Sequence, residues 1–67
     1  MTAPAKPILI QTRDQGESVW FNYYSVTQMR KTLKGIRISF IDGSFIYAEE
    51  SMTSILHKLK AAYEQAN

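Results

Sequence analysis

Sixty-seven residues with no cysteine, a formal charge of +2 and 45% hydrophobic residues predict one small domain, because a chain this short does not fill two separate cores. A disulfide framework is excluded, and a single histidine, His57, excludes a structural zinc site, which takes four Cys or His ligands. Ordering such a chain costs on the order of 100 kcal/mol at about 1.5 kcal/mol per residue, and domains of this size often draw on disulfides, a metal or a partner subunit. What remains here is an efficient core or burial against another chain.

Met1 to Pro7 reads as a flexible lead-in, since Pro4 and Pro7 oppose helix and regular ladder pairing. The apolar run Ile8-Leu9-Ile10 is too short for a signal-peptide core or a membrane span, and the lack of cysteine favours a reducing compartment, so a cytoplasmic location is expected. Residues 8–67 then make up the domain. Ile8 to Thr12 is apolar at alternate positions and predicts a strand with Ile8 and Ile10 inward. Asp14-Gln15-Gly16 supplies a turn. Ser18 to Asn22 follows as a second strand, with Val19 and Phe21 on one face and Ser18, Trp20 and Asn22 on the other.

Between Tyr24 and Gly35 the residues alone admit two structures. Val26, Met29 and Leu33 are spaced for a helical face, and Ser25-x-x-Gln28 with a terminal Gly35 suits a short helix at Ser25 to Lys34. β-branched Val26 and Thr27 favour a strand, and a bulge would also bring Val26 and Met29 to one side. Ile36 to Ala48 is a hairpin around Asp42-Gly43, a pair suited to tight turns. Ile36, Ile38 and Phe40 face one way and Arg37 and Ser39 the other. Phe45 to Ala48 is apolar at nearly every position, which predicts burial on both faces or a central place in the sheet.

From Glu49 the period changes. Met52, Ile55, Leu56, Leu59, Ala62 and Tyr63 recur at three- and four-residue steps, which predicts a helix from Ser51 to about Gln65 with one buried stripe. Ser51 is the expected N-cap, and Glu49 and Glu50 place negative charge at the positive end of the helix dipole. His57, beside that stripe, is expected half covered by the sheet.

Catalytic chemistry finds few candidates. A Cys-His pair is impossible, a Ser-His-Asp arrangement would need His57, and Asp14 and Asp42 are accounted for as turn residues. Gly16, Gly35 and Gly43 stand singly, so no glycine-rich phosphate cradle exists. No enzyme, cofactor, metal or small-molecule substrate is expected. The distribution of charge is more informative. Arg30, Lys31, Lys34 and Arg37 form a basic cluster, with no acid between Glu17 and Asp42. With Trp20, Tyr23 and Tyr24 it makes a candidate interaction surface. Outward aromatics suit a protein contact or a homo-oligomer, and cations beside aromatic rings suit single-stranded nucleic acid. An ordinary solvated basic face accounts for the same cluster.

Thr12-Arg13-x-x-Gly16, Asn22, Val26-x-x-Met29, Ile36-x-Ile38 before Asp42-Gly43, and Glu50-Ser51 leading into Ile55 and Leu59 together resemble the small flagellar FlbD family over residues 8–63. The resemblance implies a cytoplasmic, non-enzymatic accessory protein connected with motility, and a strand at Val26 to Lys31. It carries no functional residues across. The expected architecture is α+β, a small curved antiparallel sheet of four to five strands with one C-terminal helix packed on it. The expected function is a protein-interaction or regulatory module, with single-stranded nucleic-acid binding or transcription regulation through the basic cluster as the alternative.

Overall fold

The computed structural model describes residues 7–66. The expected lead-in lies outside the described residues except for Pro7, which is exposed and in no regular element. Strands β1 (Leu9–Asp14) and β2 (Glu17–Asn22) pair antiparallel across the two-residue loop Gln15-Gly16. Both loop residues have positive φ, 54° and 80°, which matches the twist of the flanking strands in a tight hairpin. Alternation carries Ile8, Ile10 and Thr12 into the interior, with Ile10 opposite Phe21 and Thr12 opposite Val19. Val19 itself is only half-buried.

A short 3₁₀ turn, Tyr23–Ser25, follows β2. Asn22 holds it in place, its Oδ1 accepting from Tyr24 N at 3.1 Å and from Ile8 N at 3.3 Å. The next segment is a strand, β3 (Val26–Thr32), paired antiparallel with β4 (Gly35–Phe40). Its register shifts between Val26 and Gln28, a bulge that puts Val26 opposite Phe40 and Met29 opposite Ile38 on one face despite their three-residue spacing. The short helix at Ser25 to Lys34 is thereby overturned. Leu33 lies fully exposed in the β3–β4 turn, and Gly35 opens a strand instead of closing a helix. At φ 119°, a Cβ on Gly35 would stand 2.5 Å from Ala48 O, so only glycine lets β4 start this close to its neighbour.

Strand β5 (Phe45–Ala48) returns along β4. In the turn, Asp42 Oδ1 accepts from Ser44 N at 2.9 Å and from Ser44 Oγ at 2.6 Å. The order of this sheet is β3-β4-β5, so β5 is at its side and not central. Only Ala48 is buried, Ile46 and Tyr47 are half-buried, and Phe45 is exposed, which corrects the expectation of burial on both faces. Among the described residues five antiparallel strands thus divide into a two-stranded and a three-stranded sheet, and with the one C-terminal helix they form the α+β domain expected. Glu49 N donates to Arg13 O at 2.8 Å, joining the end of β5 to β1.

Helix α1 (Met52–Ala66) begins at Ser51, whose Oγ accepts from Ser54 N at 3.1 Å, the cap expected. Ile55 is buried, and Met52, Leu59 and Ala62 pack on the core formed by Ile8, Ile10, Phe21, Ile36, Ile38 and Ala48. Leu56 and Tyr63 are instead about half exposed, at 48% and 52%. At 3.6 residues per turn the six predicted stripe positions spread over about 120°, and these two fall at the edge farthest from Ile55 and Ala62. His57 is exposed, not half covered, because it lies beyond that edge.

Candidate functional site

The outer face of the three-stranded sheet collects cations and rings. Register sets Arg30 directly opposite Arg37, which faces Tyr47 on its other side; one step along, Gln28 is opposite Ser39, which faces Phe45. These six residues have the parity opposite to Ile36 and Ile38 and therefore point away from the core. The Arg37 guanidinium carbon lies 4.2 Å from the Phe45 ring centroid, and Lys34 Nζ, from the β3–β4 turn, lies 5.6 Å from that of Tyr47. Both distances are in the cation–π range. Phe45 and Tyr47 meet edge to face at 5.6 Å. Gln28, Arg30, Arg37 and Ser39 line a shallow polar notch of about 130 Å³.

The residues singled out in the sequence are spread over several places. Arg30, Lys34 and Arg37 share the outer face just described. Lys31, opposite Ile36, has inward parity but stays exposed. Trp20 is 63% exposed on the outer face of the β1–β2 pair, opposite Gln11 and diagonal to Leu9. Tyr23 is half-buried against the core, and its ring lies 6.4 Å from that of exposed Tyr24. The rings that meet the cations are Phe45 and Tyr47, which sequence reasoning assigned to the interior. Their alternation with Ile46 and Ala48 was the available signal, masked because all four residues are apolar.

Along the flank of α1 a second concavity, about 410 Å³, is lined by Tyr23, Leu56, Leu59 and Tyr63 and edged by Lys60 and Glu64. A third, about 380 Å³, lies between β1 and the start of α1. There Glu50 accepts from Thr12 Oγ1, from Ser54 Oγ at 2.7 Å and from Lys58 Nζ at 3.0 Å, while Lys58 also donates to Gln11 O at 2.8 Å. Partial burial pushes the Glu50 carboxyl up, but the hydrogen bonds from Thr12, Ser54 and Lys58, with the Lys58 charge, outweigh it and hold the group below its ordinary value. Glu49 accepts from Gly16 N at 2.9 Å. These acids, expected as helix-start charge, are ties between elements.

Among the described residues, no group of three or more His, Asp or Glu is placed to hold a metal ion, and no helix is long and apolar enough to cross a membrane. No family model matches the chain, and neither a curated protein nor a solved structure matches it.

Proposed function

We propose that the chain is a non-enzymatic interaction module that works through contact, with the apolar flank of α1 as its docking face and a second copy of the chain as its partner. The observation that carries this is the groove of Tyr23, Leu56, Leu59 and Tyr63, built from large side chains that the fold leaves partly in water. Among the described residues seven apolar side chains are buried, whereas eight large hydrophobic ones are exposed. For a small domain without disulfide or metal, covering such a groove supplies burial that the chain alone lacks. Lys60 and Glu64, opposite in sign and one turn apart on the rim, suit a two-fold contact in which each copy offers both charges to the other.

The resemblance to the flagellar FlbD family supports the same contact-based class, and a cytoplasmic setting connected with motility belongs to the proposal. Its test is mass in solution. Sedimentation equilibrium of the full chain is expected to give a dimer that Leu56→Glu converts to a folded monomer, since an exposed position tolerates the change within about 0.5 kcal/mol. A strict monomer at high protein concentration defeats the proposal.

A further inference from the structure

The structure assigns the outer face of β3–β4–β5 a ligand of its own: we propose that it binds single-stranded nucleic acid, with Arg30, Lys34 and Arg37 on phosphates and a base stacked at the exposed Phe45 ring and the Arg37 guanidinium that lies on it. The face is separate from the α1 groove and does not depend on it.

Arg30 and Arg37 stand directly opposite each other on adjacent strands, a placement that costs stability because like charges face across the ladder. Among the described residues the only ion pair is Lys58–Glu50, so no carboxylate relieves them. The acids lie elsewhere: Asp14 and Glu17 paired beside the loop of the first hairpin, Asp42 bonded to Ser44, Glu49 on Gly16, Glu50 on Lys58 and Glu64 on α1. A chain of only +2 thus gathers three cations on one acid-free face. A bound polyanion removes the repulsion that folding leaves in place.

Shape and chemistry narrow the anion. Phe45 is 46% exposed and Tyr47 half-buried, with a guanidinium and an ammonium drawn over their rings. Phe45 and Tyr47 stand at 84° to each other, so one ring at a time lies flat against a base; Phe45, the more exposed, and the guanidinium on it offer that surface, and unpaired bases alone present free faces for stacking. The notch between the arginines is finished by Gln28 and Ser39, an amide and a hydroxyl able to bond base edges or sugar oxygens. An acidic peptide would use the cations but leave the rings unexplained.

The test is fluorescence anisotropy of the full chain with a labelled, mixed-sequence single strand of DNA or RNA across a salt series. Binding is expected at low salt, with a slope of log K against log salt of about −2, as three neutralised phosphates contribute about −0.7 each. Arg30→Glu should weaken binding about tenfold or more while raising the melting temperature, because it exchanges a like-charge pair for an opposite one. Phe45→Ala should cost about tenfold, and Trp20→Ala nothing. Lys34→Glu, in an exposed turn, gives a second charge reversal away from the ladder and should also weaken binding. No binding at low salt, equal affinity for duplex, competition by polyglutamate as strong as by unlabelled strand, or affinity indifferent to Arg30→Glu and Lys34→Glu each overturns the assignment.

Discussion

At the seam between β1 and α1, the Glu50 carboxylate is met by Thr12, Ser54 and Lys58, whereas on the outer face of β3–β4–β5 two arginines confront each other with no acid beside them. Both regions are polar and both bridge separate elements. At the seam, charge is used to fasten the helix to the first hairpin, and each donor there finds an acceptor. On the sheet face, charge is left over after folding, at a cost. The contrast separates residues that make the fold from residues that the fold merely carries, which is where binding is to be sought.

The strongest test of the comparison lies beneath both regions. Ile38 is fully buried on β4, directly behind the basic face, and its replacement by alanine should cost about 2–5 kcal/mol. Against the about 5–15 kcal/mol typical of whole domains, that lowers the urea midpoint by a large part of its value. An unchanged midpoint would mean that the core is wrongly identified.

Glu50→Ala comes next. It strips the acceptor from the Thr12 hydroxyl, which is otherwise enclosed, and should cost about 1–3 kcal/mol. A carboxyl held below its ordinary value of 4.5 adds stability that is complete above that value and is lost as pH falls through the lowered one. The melting temperature of the unmodified chain should therefore drop in that acid window, and the variant should show a flatter acid limb. Equal slopes for the two proteins would show that the seam does not store charge-dependent stability.

The smallest effect has the opposite sign. Arg30→Gln removes one half of the opposed pair and should stabilise the free protein by a few tenths of a kcal/mol, at the low end of about 0.2–1 kcal/mol for cross-strand pairs. Thermal unfolding at low ionic strength resolves it, and high salt should abolish the gain by screening. Destabilisation instead would place Arg30 with the residues of the seam.

Much of the fold was legible from local signals. Asp42-Gly43 and Gln15-Gly16 close hairpins with their neighbours, and Ser51 caps α1, because turns and caps are decided by a few adjacent residues. At Val26 to Thr32 the residues suit a bulged strand and a short helix alike, since the bulge at Thr27 turns strand alternation into a three-residue spacing that also fits a helical face. The site was half legible: the run from Arg30 to Arg37 marks the cations, but which rings they meet depends on pairing between β4 and β5. Phe45 and Tyr47 therefore read as core residues in the sequence, whereas Trp20, Tyr23 and Tyr24, expected beside the cations, lie on other elements. Thr12 reads in the sequence as a strand end, and its hydrogen bond to Glu50 leaves no local signal, because the contact joins residues far apart in the chain.

The Thr27 bulge has a consequence for solubility. β3 is a side strand of its sheet, and a straight side strand offers a row of backbone donors and acceptors on which another chain can extend the sheet. The register shift breaks that row and increases the local twist, while exposed Arg30 and Lys31 make a flush approach by a like-charged neighbour unfavourable. The irregularity that disguises the strand in the sequence also guards its open side against fibrous stacking.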